Sequence, residues 1–271
     1  MKHFLATRFN LRFEDWTSTK NGNPVLDDKW LTDRFMLFNN FCLPSVLNQS
    51  NQNFHWVLFF DQSTPASFKA EIENSISPFK NVYVLFIDGM KDLEGSFKDF
   101  IASHKDRDDS FIITTRLDND DMIHKDFIDT IQNAAYKSES DASQVIDLIN
   151  GYQLSILNKK YEVREYSNLL NPFLSLKEDI ANFDTIFKFR HKEWKNDRIE
   201  ISNNRLWTEV IHPNNKLNQS RLDLQLTKNF NPEDFGFNTE LEKLNFLERG
   251  LRRIQYKLKT STKLKVLRKK F

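Results

Sequence analysis

Short runs of consecutive apolar residues alternate with longer amphipathic segments along the first half of the chain. Continuous apolar runs of strand length occur at Phe54–Asp61, Val82–Ile87 and Ser110–Thr115, and His3–Phe9 is a fourth candidate. Unbroken apolar strands are typical of parallel sheets that are buried on both faces. The pattern therefore predicts four central strands in one sheet.

The segments between these runs carry helical periodicity. Leu31–Leu47 repeats apolar residues at helical spacing, and Pro44 is expected to kink or end that helix. Thr64 followed by Pro65 predicts the start of a second helix, capped by the Thr64 hydroxyl and running to about Ser77. Two further helices are predicted at Leu93–His104 and His124–Lys137. Successive β-α units predict a mostly parallel sheet with helices on both faces.

The pattern becomes less regular after Ser140. Additional strands are predicted at Gln144–Asn158 (a pair around Gly151), Tyr161–Tyr166 and Ile186–Phe189. From Pro232 onward the sequence becomes helical and charged. We therefore expect an α/β domain over residues 1–230 and a helical, basic extension over residues 231–271.

Composition narrows the class of protein. Hydrophobic residues make up 39% of the 271 positions, which is enough for a folded core. The chain has 25 Phe and only 6 Gly, too few glycines for a Gly-rich phosphate loop. Its single cysteine, Cys42, cannot form an intramolecular disulfide. Because no apolar window approaches the ~20 residues of a membrane span and no signal peptide is recognisable, a cytoplasmic location is expected.

Three carboxylates stand within four residues after the fourth predicted strand, in the run Asp118-Asn119-Asp120-Asp121. A divalent cation held by one or two carboxylates also binds the phosphates of a nucleotide. Ligands of parallel sheets bind beyond the carboxyl ends of the strands, which is where this run is expected. The pattern favours a metal-assisted nucleotide site. A solvated acidic turn that caps the next helix is the alternative.

Charge is distributed unevenly along the chain. Residues 249–271 contain ten Lys or Arg and no acid, although the net charge of the whole chain is only +1. Apolar residues recur at helical spacing in this tail, at Leu251, Ile254 and Leu258 and again at Leu264, Leu267 and Phe271. A basic amphipathic tail of this kind is typical of docking on an anionic membrane surface, here the inner face of the cell membrane. A solvated tail is the alternative, and the acidic body disfavours nucleic-acid binding.

The segment TTRLDNDD, at Thr114–Asp121, resembles the acidic metal motif of GT-A glycosyltransferases. The wider chain resembles the rhamnosyltransferase family of bacterial polysaccharide gene clusters. The segments that carry this resemblance are Thr7–Asn10, Leu31–Ser50, Asn53–Asp61, Thr114–Ile128, Asn171–Glu178 and Leu206–Gln219. The resemblance implies a GT-A-like α/β fold for the catalytic domain. It also implies transfer of a sugar, with rhamnose as the family's sugar, from a dTDP- or UDP-sugar to a glycan or lipid-linked acceptor.

The resemblance further implies a divalent cation, Mn²⁺ or Mg²⁺, as cofactor. Asp118 and Asp120 match the two acids of the family's metal motif, and Asp121 extends it. His212 is a candidate third metal or phosphate ligand, because a neutral imidazole suits manganese. A structural histidine is the alternative for His212, and the same two interpretations apply to His191.

Four further residues are expected at the nucleotide-sugar, together with Asp118. They are Arg8, Arg34, Asp61 and Arg116, which lie where such enzymes approach the base, ribose or phosphates. Structural ion pairs are the alternative for Arg8 and Arg34. Trp207 is expected either to stack on a sugar or to lie in the core.

An acceptor hydroxyl loses a proton during inverting transfer, so a base must lie within hydrogen-bond reach. Glu178 and Asp179 are the candidates by their order after the acidic run, with Glu209 as the alternative. The chain lacks the glycine that often precedes such a Glu-Asp pair and the later Gln-x-x-Arg-Trp pattern of processive enzymes. Processive synthesis is therefore not expected.

Two other function classes compete with a transferase. A non-catalytic nucleotide- or glycan-binding module on the same fold has no need of three crowded carboxylates. A nucleotidyltransferase usually has a Gly-rich loop after its first strand, whereas Asn10–Trp16 reads NLRFEDW. The sequence favours the glycosyltransferase over both.

Overall fold

The computed structural model describes residues 1–13, 27–106, 108–215, 218–237, 240–254 and 256–257. Its strands form a seven-stranded and a five-stranded sheet. The larger sheet contains β1 (Lys2–Arg8), β2 (His55–Asp61), β3 (Val82–Ile87), β4 (Phe111–Asp118), β6 (Gln144–Leu148), β9 (Ser175–Asp179) and β10 (Asp197–Ile201). The smaller sheet contains β5 (Met122–Ile123), β7 (Asn150–Leu157), β8 (Lys160–Ser167), β11 (Trp207–Ile211) and β12 (Glu242–Lys243).

The larger sheet has the strand order β10-β6-β9-β4-β1-β2-β3. β3, β2, β1 and β4 pair in parallel, and so do β6 and β10. β9 runs antiparallel to both of its neighbours, β4 and β6. The predicted mostly parallel sheet is thus confirmed, with one reversed strand near its middle.

Helices cover both faces of this sheet, as predicted. They are α1 (Asp28–Leu37), α2 (Leu43–Leu47), α3 (Ala66–Ile76), α4 (Leu93–His104) and α5 (Phe127–Lys137). Alternate residues of β2 point to opposite faces. Trp56 and Phe60 join the apolar cluster that contains Ile131 of α5, whereas Val57 and Phe59 join the cluster that contains Phe97 of α4. Burial on both faces explains why β2 reads as a continuous apolar run.

Two local expectations about helices need correction. The predicted helix over Leu31–Leu47 does not end at Pro44. A π-helical turn, Phe38–Cys42, joins α1 to α2, and Pro44 lies in the first turn of α2, where a missing backbone N–H is tolerated. The Thr64 hydroxyl does not cap α3 but donates to the Asp61 carbonyl at 2.6 Å.

Gln144–Asn158 does form two strands, but they do not pair with each other. β6 joins the larger sheet and β7 the smaller one. Gly151 allows β7 to lie against the Trp207 indole, since a Cβ there would lie 2.1 Å from the ring. The strand predicted at Ile186–Phe189 is wrong, because these residues lie in an irregular segment.

The segment after residue 230 packs against the smaller sheet. Phe235 and Phe237 share an apolar cluster with Tyr152 and Tyr161, and β12 pairs in parallel with β8. Residues 246–254 then form a helix. The division into domains at residues 230 and 231 stays a prediction.

Candidate active site

Three neighbouring parallel strands of the larger sheet end at a common edge, each with a charged residue. Arg8 ends β1, Asp61 ends β2 and Asp118 ends β4. Arg8 and Asp118 are register partners on neighbouring strands, and Arg8 Nη2 donates to Asp118 Oδ1 at 2.8 Å. The acidic run therefore begins at the strand ends, where the sequence placed it.

Asp120 is held in a buried network by two elements far apart in sequence. Its Oδ2 accepts a hydrogen bond from Arg34 Nη1 of α1 at 2.8 Å and lies 2.9 Å from His212 Nε2, which follows β11. Burial alone would raise the pKa of Asp120. The Arg34 charge and the hydrogen bonds from His212 and Arg34 outweigh burial and hold that pKa well below its ordinary value. Asp120 is thus a buried carboxylate paired with the Arg34 guanidinium and in contact with His212.

Asp121 lies where the two sheets meet. Its Oδ1 accepts a hydrogen bond from the Val210 backbone N–H of β11 at 2.8 Å. Burial, together with the charges of Asp120, Asp118 and Glu209, raises the pKa of Asp121 well above its ordinary value. The surroundings of Asp121 therefore hold an excess of negative charge, which a cation would relieve.

Arg116 is a buried cation that is only weakly paired among the described residues. Its side chain is only 9% exposed, and Nη2 lies 3.8 Å from Asp118 Oδ1, beyond hydrogen-bond distance. Nε is buried without any hydrogen-bond partner among the described residues. Burial and the nearby Arg8 lower the pKa of Arg116 to about 10, so the guanidinium stays charged at neutral pH. A buried, weakly paired guanidinium beside Arg8 is suited to bind an anion.

Asp61 is committed to protein contacts. It is buried, and it accepts hydrogen bonds from Arg12 Nε at 2.9 Å and from the Ser63 backbone N–H at 2.9 Å. A second nitrogen of the same guanidinium group, Nη2, donates to Asp88 Oδ1 at 2.6 Å. Asp61 therefore holds Arg12 at the strand ends, and its contact with a base or ribose stays a prediction.

The geometry does not support Glu178 and Asp179 as bases near the acidic run. β9 runs antiparallel to β4, so Glu178 pairs with Ile112 and Asp179 with Phe111. These pairs lie six residues or more from Asp118 along β4, which is roughly 20 Å. The alternative, Glu209, lies on β11 next to Val210, the residue that contacts Asp121.

Trp207 lies in the core. It has no exposed surface, its ring stacks on Phe173 with centroids 4.9 Å apart, and its Nε1 donates to the Leu148 carbonyl at 2.6 Å. A fully buried indole with a satisfied N–H offers no free face to a sugar. The core interpretation of Trp207 is the one that fits.

The acids match a hard cation in chemistry, although their arrangement does not form a complete protein cage. Among the described residues, no group of three or more His, Cys, Asp or Glu side chains is placed to hold a metal ion. Asp118 is the most open acid of the run, with 35% of its side chain exposed, and the contacts from Arg8 and Arg116 are both to its Oδ1. Mg²⁺ is commonly held by one or two carboxylates and completed by substrate phosphates, so this donor set fits such a cation.

Sequence reasoning missed two amide side chains of this site. Asn119 accepts a hydrogen bond from Arg34 Nη1 at 3.2 Å and donates to the Phe9 carbonyl at 3.0 Å. Asn215 Nδ2 lies 3.4 Å from Asp120 Oδ2. Asn119 lay inside the acidic run, whereas only the nearness of His212 in sequence pointed to Asn215.

Acids and guanidinium groups at the carboxyl ends of a mostly parallel sheet are typical of a GT-A-like transferase fold. The family model described as "Putative rhamnosyl transferase" matches residues 5–221, and the chain belongs to this family. The comparison with curated proteins finds no match.

Solved structures with a similar fold include two of S. aureus TarS 1-349. One is 13% identical, with a TM-score of 0.44, and the match covers 78% of this chain and 60% of that one. The other, in complex with UDP, is 13% identical with a TM-score of 0.43 and coverages of 79% and 61%. A "putative nucleotide-diphospho-sugar transferase" from Desulfovibrio desulfuricans G20 is 8% identical, with a TM-score of 0.37 and coverages of 79% and 82%. This chain thus spans about 60% of the TarS chains.

Proposed function

We propose that this protein transfers a sugar from a nucleoside-diphosphate donor to a hydroxyl of a glycan or lipid-linked acceptor. Rhamnose carried on dTDP is the first donor to test, because the family is described by that sugar. The observation that carries the proposal is the buried Arg116 guanidinium, whose Nε has no partner among the described residues and which lies beside Arg8 and Asp118.

The diphosphate of the donor would bind between Arg8 and Arg116. Two guanidinium groups at the strand ends neutralise the charge that develops on a departing nucleoside diphosphate. Arg34 is not part of this pair, because its guanidinium hydrogen-bonds to Asp120. Its role in this proposal is to position Asp120 rather than to bind phosphate.

Mn²⁺ or Mg²⁺ would be held by Asp118 and Asp120, with Asp121 behind them and the donor phosphates completing the coordination. The bound cation supplies further charge neutralisation to the leaving diphosphate. His212 contacts Asp120 Oδ2, so this histidine orients the carboxylate.

The first test of donor binding is the thermal stability of the protein with dTDP and UDP, with and without Mn²⁺. A ligand at about 100 times its Kd stabilises the native state by roughly 2.7 kcal/mol. Arg8→Gln should weaken binding about 10- to 100-fold, since a charge-assisted hydrogen bond contributes about 1.5–3 kcal/mol. Arg198→Gln is the matched control, with a similarly exposed arginine on β10. Equal stabilisation of wild type and Arg8→Gln would rule out the diphosphate site.

The acceptor side of the proposal concerns the helix at residues 246–254. Leu247, Leu251 and Ile254 share one face by their spacing and are 74%, 62% and 57% exposed. Arg252, on another side of the helix, pairs with the buried Glu162 and donates to Ser220 Oγ at 2.8 Å. The helix is thus attached to the body through a charged residue, and its apolar face points away.

We propose that this apolar face docks on an anionic membrane surface. The surrounding charge is complementary to such a surface, since residues 249–271 carry ten Lys or Arg and no acid. Residues 258–271 lie outside the described part of the chain. No described helix is long and apolar enough to span a bilayer. Docking would bring the site to a lipid-linked acceptor.

Replacing Leu247, Leu251 and Ile254 together by serine should lower binding to phosphatidylserine-containing vesicles more than tenfold. Each leucine or isoleucine withdrawn from the bilayer costs about 1.5–3 kcal/mol. Co-sedimentation of the full chain with these vesicles measures the effect. Met36→Ser, at an exposed methionine on α1, is the control for loss of a surface apolar group. Undiminished sedimentation of the triple variant would contradict docking through this face.

A further inference from the structure

The irregular segment between β9 and β10, residues 180–196, crosses one face of β4. Alternate residues of a strand share a face, so Thr114, Arg116 and Asp118 lie on the same side of β4. The Ile186 backbone N–H donates to Thr114 Oγ1 at 3.0 Å, and the Phe187 ring lies 5.7 Å from the Arg8 guanidinium carbon. The segment therefore forms a wall beside the diphosphate site.

His191 belongs to this wall, and its orientation is set by one hydrogen bond. Nδ1 is within hydrogen-bond distance of the Leu170 carbonyl oxygen. A carbonyl only accepts, so the hydrogen of the neutral ring is on Nδ1. The lone pair of Nε2 is then free to accept a proton.

The turn that supplies the Leu170 carbonyl is held in a strained conformation. Leu170 has φ of +50°, which is unusual for a leucine. Buried Asp147 fixes the turn, since it accepts hydrogen bonds from the Leu170 backbone N–H at 2.7 Å and from Asn171 Nδ2 at 2.8 Å. Backbone strain that the surroundings maintain in this way is concentrated at functional sites. Here the strained turn directs the Leu170 carbonyl to His191.

We propose that His191 Nε2 accepts the proton of the attacking acceptor hydroxyl. This inference rests on the proposed sugar transfer. The acceptor oxygen forms a bond to the anomeric carbon, and the bond from that carbon to the diphosphate oxygen breaks, leaving its electron pair on the diphosphate. The hydroxyl proton passes to Nε2, so that His191 becomes an imidazolium and later releases the proton to solvent.

The charges around His191 favour this role. Burial is the main factor that lowers its pKa, and Arg116 and Lys192 lower it further. The hydrogen bond to the Leu170 carbonyl and the charge of Asp118 oppose them without reversing the shift. The neutral ring therefore predominates at neutral pH and is available as a base. Because the base works only when neutral, turnover should fall as pH drops through a value below the ordinary 6.5.

Glu209 is the competing base. Glu209 is buried on β11 of the smaller sheet, and its carboxylate accepts a hydrogen bond from Gln153 Nε2 at 2.8 Å. Burial raises its pKa, and the charges of Asp120 and Asp118 raise it further. A carboxylate surrounded by other carboxylates is poorly placed beside an incoming anionic diphosphate. The charges that act on His191 include the Arg116 cation as well as Asp118, so its surroundings carry no such excess of negative charge.

The test is release of dTDP from dTDP-rhamnose by the full chain, with p-nitrophenyl glycosides as acceptors, measured from pH 5 to pH 9. His191→Ala and His191→Gln should each lower turnover at least about 100-fold and remove the acidic limb of the profile. Added imidazole should restore turnover to His191→Ala. Stabilisation by dTDP should stay as in wild type. Lys188→Ala, at an exposed lysine of the same segment, is the control.

Three outcomes would overturn the inference while leaving sugar transfer in place. One is wild-type turnover in His191→Ala. Another is loss of dTDP stabilisation in that variant, which would make His191 a phosphate ligand. The third is an acidic limb that disappears in Glu209→Gln but not in His191→Gln. Failure of the proposed function itself would look different, because the wild type would then neither bind dTDP nor UDP nor turn over a donor.

Discussion

Asp120→Ala is expected to abolish sugar transfer and to lower the free energy of unfolding by about 3–5 kcal/mol. The stability loss follows from the partners of Asp120. The Arg34 and His212 side chains are only 10% and 3% exposed, and the substitution leaves both without their shared acceptor. Removing one member of a buried ion pair costs that much because the remaining charge stays buried.

Loss of activity must be separated from loss of fold. Asp120→Asn keeps the shape and one acceptor oxygen of the side chain. Its free energy of unfolding should therefore fall less than that of Asp120→Ala, and sugar transfer should still be lost. Asp126→Ala, at an acid whose side chain is 49% exposed a few residues later, is the matched control. Urea unfolding and donor turnover of the three variants give both quantities. Normal turnover in folded Asp120→Asn would remove Asp120 from the metal site.

Glu178→Gln is expected to make the protein more stable than wild type at pH 8 by up to about 3 kcal/mol. Glu178 is buried, and its Oε2 has no hydrogen-bond partner among the described residues. Burial raises the pKa of Glu178 from 4.5 to about 7. A difference of this size between the folded and unfolded states corresponds to about 3 kcal/mol.

The sign follows from which state binds the proton. The folded protein holds it up to about pH 7, whereas the unfolded chain releases it near pH 4.5, so wild-type stability falls as pH rises between these values. Glutamine stays neutral and avoids this loss. Urea unfolding of wild type and Glu178→Gln at pH 5 and pH 8 measures this loss of stability. Glu71→Gln, on the exposed side of α3, is the control. An identical pH dependence in wild type and Glu178→Gln would show that the carboxyl is ionised in the folded state.

The position of Glu178 in the sheet was not predictable from the sequence, whereas the positions of several strands were. β2 and β3 were located correctly because each reads as a continuous apolar run, and this information is local. β4 was located in the same way, but it extends three residues beyond the predicted Thr115 and ends at Asp118, the first residue of the acidic run. Glu178 lies at the other end of β4 from the acidic run because the direction of β9 depends on pairings with β4 and β6, which leave no local trace. An antiparallel strand brings its residues to the opposite end of the sheet.

Contacts between distant segments were equally out of reach. Asp120 meets Arg34 and His212 across 86 and 92 residues. Nothing in the spacing of these residues indicates that they converge, although each was a candidate separately. Gly151 was recognised as lying between two strands, but its function of admitting the Trp207 ring depends on how β7 packs against β11.

Turnover of a nucleotide-sugar by the wild-type chain tests the central claim most directly. The protein is incubated with dTDP-rhamnose and, separately, UDP-glucose, with Mn²⁺ and a glycoside acceptor, and both released nucleoside diphosphate and glycosylated product are measured. The proposal predicts release of diphosphate matched by transfer of sugar, and neither in Asp120→Asn. Nucleotide binding without release or transfer from any nucleotide-sugar would contradict it and favour a non-catalytic binding module.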